Sequence, residues 1–509
     1  MSAIRTLSLL LSIPECVLLA GVVYGWTYIV DVLLDYGYFS YLCVTSNHSS
    51  ISYSVNSTPS SYNATGAPRG GSCYEAKAQL NLVYTFAVAT CSTLTFFFGF
   101  VYDRWGSWIT RTVAIGMYTI ACLMMIFGPL EHSWLLYPAM LLFAFAGNCL
   151  IMCNLNIANL AQNHRFLFIS LFNGGYDSSA IVFYMVKLAY FGGISLPIIF
   201  GMLGSSAILW NIKTFTLTPK WRVPFPLPND FTFGIQEILR KNSVQDEIIN
   251  EQLSEKAESR SVHCAENDDR TFAECLKDTF YWSNVAHISV LHVREVFFLG
   301  TVESWLDSTA GGSSTATYLF VYGIFTLLGV AIAPLCGCVT DRLHELFAKR
   351  QGKENDPGTS ALLSVSVSIG ITSLLATLFS LTVTLPFLKL QYISFVLFAF
   401  FRAFLYSAAA NYVAVAYPTM HFGKLFGLMV TIFGLLTYVQ YPMLNIAVVQ
   451  GYKVINICFL VASAVTAIHP LAMFWYYKKK SFSSRCVGDH SREKVLKAIK
   501  SQNDALASA

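Results

Sequence analysis

Gly99-Phe-Val-Tyr-Asp103-Arg104-Trp-Gly106 closes one apolar block of the chain, and Gly337-Cys-Val-Thr-Asp341-Arg342 closes another. Both copies place a glycine four residues before an Asp-Arg pair. Both sit at the end of the second block in a set of six. On either side, apolar residues fall in blocks of about 20, the length that crosses a hydrocarbon core of ~30 Å. Lipid offers the backbone no hydrogen-bond partner, so each block is expected to be a helix. Spans 1 to 12 are read at 6–30, 80–101, 112–129, 134–158, 167–190, 195–214, 284–306, 316–338, 361–386, 391–416, 425–448 and 454–476. Span 1 does not read as a cleaved signal peptide. It runs too long, carries Glu15 and lacks a small-residue cleavage site.

Composition agrees. Only 12% of residues are charged and 55% are hydrophobic, whereas soluble domains carry roughly 25% charge. Lys and Arg concentrate in the loops at Asp103–Arg111, Asn163–Arg165, Thr218–Asp278 and Asp341–Lys353, and in the tail from Lys478. Such loops stay cytoplasmic, which predicts that both termini are cytoplasmic. The net charge of +4 follows from this bias and points to no nucleic-acid partner. The expected organisation is an N-terminal six-helix half over 1–215, a central cytoplasmic loop over 216–283, a second half over 284–477 and a tail over 478–509. In the central loop, Pro219–Pro228 is proline-rich and reads as extended. Gln236–Lys277 is charged and reads as an amphipathic helix or a disordered stretch.

The loop over 31–79 falls outside and holds sequons at Asn47, Asn56 and Asn63, which predicts a glycoprotein. Cys43 and Cys73 flank them, and an oxidising exterior allows that pair to bond. Most other cysteines lie inside spans. No Cys/His grouping has metal-site spacing, so neither a metal nor another cofactor is expected.

Two six-helix halves joined by a long loop resemble the major facilitator superfamily, an all-α membrane fold with its site at mid-depth between pseudo-symmetric halves. Gly99, Asp103, Arg104 and Gly106, with Arg111 downstream, resemble its signature loop. That resemblance implies a gating role: the glycine allows close helix approach, and Asp103 meets a cation or a neighbouring helix N-terminus. Asp341 and Arg342 form the second copy, which lacks the glycine two residues after the arginine.

Further stretches narrow the resemblance. Pro14-Glu15-Cys, Gly25-Trp26, Phe172-Asn-Gly-Gly-Tyr-Asp177-Ser-Ser-Ala, Phe401-Arg402-Ala-Phe-Leu-Tyr406 and His421-Phe-Gly-Lys-Leu-Phe-Gly-Leu are similar to solute carrier family 43. The family has a neutral amino-acid branch and a nucleobase branch, and the His421–Leu428 run looks more like the second. The resemblance implies sodium-independent, facilitated exchange of purine bases such as adenine, guanine and hypoxanthine at the plasma membrane, by a monomer.

Ionisable groups inside spans cost ~3 kcal/mol or more, so they read first as functional. Glu15, Asn148, Asp177, Arg294, Glu295 and Arg402 all lie near mid-depth. On span 5, Ser170, Asn173, Asp177 and Tyr184 share a stripe, and on span 4, Asn148, Asn156 and Asn159 form another. The expected substrate contacts are Glu15, Asn148, Asn156, Asn173, Asp177, Arg402 and Tyr406. Phe172, Tyr176, Phe401 and Tyr406 are candidates to stack on a flat base. An ion pair between Glu15 and Arg402 across the halves is the alternative use of those two. Adjacent Arg294 and Glu295 point about 100° apart, so both are not expected to face one ligand. Leucine-like substrates remain open, because Glu15, Asp177 and Arg402 also suit an ammonium and a carboxylate. A membrane enzyme is not expected: His287 and His292 are five apart and share no helical face.

Overall fold

The computed structural model describes residues 3–44, 74–128, 130–225, 227–228, 231–235, 270–310, 315–351 and 357–479. The three sequons, Cys73, most of the charged central stretch and the tail beyond residue 479 lie outside these residues. Cys43 is disulfide-bonded. Regular structure among the described residues is entirely helical. Among the described residues, ten runs are long and apolar enough to cross a membrane. Glu75–Phe127 is a single such run that covers expected spans 2 and 3. Thr315–Leu327 and Gly329–Gln351 cover span 8. Large apolar side chains, among them Phe127, Val449 and Trp475, face outward, as a lipid-facing surface requires.

Gly106 separates spans 2 and 3. Its φ of 80° and ψ of −174° break the run, in the region that favours glycine. A Cβ there would sit 2.9 Å from Trp221 Cε3 and 3.0 Å from the Lys220 carbonyl oxygen. That same carbonyl accepts from the Ser107 and Trp108 amides at 3.1 and 3.3 Å.

Span 1 is irregular where it meets its neighbours. An α-helix over Ala3–Glu15 passes into a π-turn at Cys16–Ala20, a 3₁₀ turn at Val22–Gly25 and a second α-helix over Trp26–Tyr36. Pro14, inside the first helix, lacks an amide donor, and departures of this kind gather at functional sites. Gly21 and Gly25 let this segment press on span 5. A Cβ at either would collide with the backbone oxygen of Tyr176 or Ala180.

The apolar core divides. One cluster draws only on Leu19 to Ala207, including Trp26, Phe143 and Phe200. A larger one joins spans 7 to 12 to Leu9, Cys16, Ile151, Phe166 and Phe172 from spans 1, 4 and 5.

Candidate functional site

The two Gly-x-x-x-Asp copies make the same contact twice. A Cβ on Gly99 would collide with the Gly423 carbonyl, and one on Gly337 with the Leu167 backbone. Each glycine therefore lets its helix lie directly on the start of another. Asp103 accepts from the Gly423 and Lys424 amides at 3.0 and 2.9 Å, at the start of the helix Phe422–Leu436. Asp341 accepts from the Leu167 amide at 3.2 Å, at the start of Arg165–Ser178. Those amides have no intrahelical partner and carry the positive end of the helix dipole. Burial pushes the Asp103 carboxyl up to about 6, and the two amides pull the other way. Arg104 and Arg342 are exposed, and Arg342 reaches only Glu345 at 3.4 Å. The aspartates, not the arginines, make these contacts between helices.

Removing a cap of this kind costs about 1–2 kcal/mol. Asp103→Ala is expected to raise the population open at this end by about ten-fold. Single-cysteine labelling from that side, with and without the substitution, measures it. Unchanged labelling would mean that Asp103 is no latch.

Glu15 is sealed inside the first six spans. It pairs with Arg111, and with Lys213 at 2.7 Å. Asn154 donates to it at 3.2 Å and accepts from Arg111 at 2.7 Å. Lys213 also donates to Ser12 at 2.7 Å. All five side chains are buried. The alternative Glu15–Arg402 pair does not form, because Arg111 and Lys213 take both carboxylate oxygens.

Arg402 joins a different cluster. Its Nη2 donates to Asp177 at 3.2 Å, and its Nε lies 3.0 Å from Glu295 Oε1. Tyr406 donates to Glu295 Oε2 at 2.6 Å, and His292 Nδ1 stands 3.0 Å from the Tyr406 hydroxyl. Asp177 comes from span 5; the other members come from spans 7 and 10. Beside it, the Tyr176 hydroxyl donates to Asn148 at 2.7 Å and lies 3.3 Å from that of Tyr24. Asn148 donates to Cys91 and Thr95 at 3.0 and 3.1 Å. The Arg402 and His292 side chains remain 15% and 12% exposed, so space reaches them.

Other expected residues fall elsewhere. Asn156 accepts from the Val223 amide at 2.7 Å, and Asn159 donates to the Val223 carbonyl at 2.9 Å. These two asparagines hold the proline-rich segment at Val223. Asn173 donates to the Ile169 carbonyl of its own helix at 2.9 Å. Phe172 and Phe401 are fully buried in the core, Phe401 stacked on Phe379. Arg294 turns away from Glu295 as the helical angle requires. It donates to Ser380 at 3.1 Å, and its guanidinium lies 4.5 Å from the Phe379 ring centre. Tyr24, His292, Arg111, Asn154 and Lys213 were not read as members of either cluster. The spacing of His292 three residues before Glu295 would have found it.

No family model matches the chain. Equilibrative nucleobase transporter 1 of Bos taurus is 31% identical over 92% of this chain and 95% of its own length. The large neutral amino acids transporter small subunit 3 of Homo sapiens is 24% identical over 91% and 92%. The chain belongs to solute carrier family 43. A bacterial homologue of the iron transporter ferroportin, solved in an outward-facing state, superposes with a TM-score of 0.51 at 13% identity, over 94% of this chain and 99% of its own. That likeness concerns the fold alone, which is of the major facilitator type. A chain of family 43 is a multi-pass membrane protein and a facilitative transporter of a small molecule, not an enzyme.

Proposed function

We propose that this chain carries purine nucleobases such as adenine, guanine and hypoxanthine across the plasma membrane by alternating access, as a monomer. The observation that carries the reading is the state of Arg402. Its charge is already met by two carboxylates, Asp177 and Glu295. An amino acid brings a carboxylate of its own and needs an uncommitted cation. A nucleobase brings no full charge. It brings N–H groups, ring acceptors and a flat face, which suit carboxylate oxygens, Asn148 and the rings of Tyr176 and Tyr406. Stacking on such rings is worth ~1–3 kcal/mol per base in nucleic-acid binders.

The Asp177–Arg402 contact ties span 5 to span 10. It is the mid-depth contact that must rearrange when the first six helices rock against the second six. With the Asp103 and Asp341 latches on the cytoplasmic side, the conformation described is the one that admits solute from outside. Nothing in the cluster requires a sodium ion.

A ligand that binds the folded state stabilises it by RT ln(1 + [L]/Kd). Adenine and hypoxanthine at about a hundred times Kd are therefore expected to raise the melting temperature of the purified protein by several degrees. Leucine and phenylalanine at the same concentrations are expected to leave it unchanged. A shift with leucine and none with the purines would reverse the substrate assignment.

A further inference from the structure

His292 lies on span 7, three residues before Glu295, so the two side chains share a face. Its Nδ1 stands 3.0 Å from the Tyr406 hydroxyl. That hydroxyl has a single hydrogen, and it goes to Glu295 Oε2 at 2.6 Å. The Tyr406 oxygen can then only accept from His292, which puts the imidazole hydrogen on Nδ1. The same nitrogen lies 3.7 Å from Glu295 Oε2. A neutral ring with its hydrogen on Nδ1 has a lone pair on Nε2. Nε2 makes no hydrogen bond among the described residues, and it is not among the buried polar atoms left without one. In that neutral form it is an open acceptor. The Phe433 ring, 4.4 Å away between centres, and Tyr406 at 6.0 Å hold its direction.

We infer that His292 Nε2 accepts a hydrogen bond from a ring N–H of the solute and is a specificity-determining residue of the transport site. The inference rests on the nucleobase reading above. Glu295 and Tyr406 act one step removed: they fix the tautomer that leaves the acceptor facing the solute. The ligand class is a neutral heteroaromatic ring with an N–H on the edge presented to span 7.

The test pairs substitutions with methylated solutes. Wild type, His292→Phe, His292→Gln and His292→Asn are reconstituted in vesicles, and uptake is corrected for inserted protein. The solutes are hypoxanthine and its single N-methyl derivatives. Methylating the nitrogen that His292 reads is expected to lower wild-type uptake by about ten-fold or more, the size of one lost hydrogen bond in a closed site. In His292→Phe the penalty for that derivative is expected to fall below about three-fold, because the two losses are not additive. Penalties for the other derivatives are expected to stay as in wild type. A glutamine amide reaches the Nε2 position and an asparagine amide only the Nδ1 position. His292→Gln should therefore keep the discrimination and His292→Asn lose it, a comparison that stands even if His292→Phe fails to fold. The same penalty in every variant for every derivative overturns the inference while leaving nucleobase transport intact. Wild-type vesicles that take up no hypoxanthine overturn the nucleobase reading and this inference with it.

Discussion

Glu15→Ala is expected to leave little folded protein. The substitution strands Arg111 and Lys213 together, both buried, with no carboxylate between them. Breaking a buried ion pair by removing one partner costs about 3–5 kcal/mol, a large share of the roughly 5–15 kcal/mol that holds a typical domain. Ser12 and Asn154 supply neutral partners to these cations and cannot replace the lost charge. Glu15→Gln restores an acceptor without the charge and is expected to fall in between. The monodisperse fraction after detergent extraction, with its melting temperature, measures the series. Folding alone would not show whether Glu15 also meets solute, so a triple variant separates the two. Glu15→Leu, Arg111→Met and Lys213→Met together remove every charge of the network and keep its volume. Apolar replacement of whole buried networks is often neutral or stabilising. The triple variant is expected to fold and to keep transport within about three-fold. A folded triple variant without transport would return Glu15 to the solute pathway.

Arg402→Ala is expected to abolish transport by the protein that reaches the surface. It leaves Asp177 and Glu295, one on span 5 and one on span 7, as two carboxylates without the cation that they share. Removing one member of a mid-depth cluster that positions solute is expected to lower turnover by about 100-fold or more. Arg402→Lys is not expected to rescue it. The guanidinium reaches Asp177 through Nη2 and Glu295 through Nε, and an ammonium offers no fixed fork of that kind. Initial rates over a range of adenine concentrations, normalised to surface protein, separate lost affinity from lost turnover. An Arg402→Lys variant at wild-type rates would show that charge alone matters there and geometry does not.

The helices were legible because membrane helices are written in block length, and all expected spans fall on helical runs. The paired aspartate contacts were legible because four of six residues, Gly, Val, Asp and Arg, recur in the same order at the same place in both halves. Their partners were not. Nothing in a single sequence says that Asp103 meets Gly423, some 320 residues on. The aspartate was read correctly as seeking a helix N-terminus, while the arginines beside it turned out exposed. Glu15 shows the harder limit. Its depth identified a costly buried charge, but Arg111 and Lys213 look from the sequence like ordinary cations at span ends. The partners of Asn156 and Asn159, on the stripe with Asn148, were hidden for a different reason. Helical spacing places side chains on one face and is silent on what that face meets, here the Val223 backbone. Periodicity did separate Arg294 from Glu295. It also held the clue to His292, on the face that Glu295 uses.

The most direct test of the account is flux in a defined membrane. The purified chain is reconstituted in vesicles without sodium or a proton gradient, and uptake of labelled adenine is followed with competitors outside. The account predicts saturable uptake that excess hypoxanthine suppresses and excess leucine does not. Uptake no faster than in empty vesicles, or suppression by leucine instead of hypoxanthine, would contradict it.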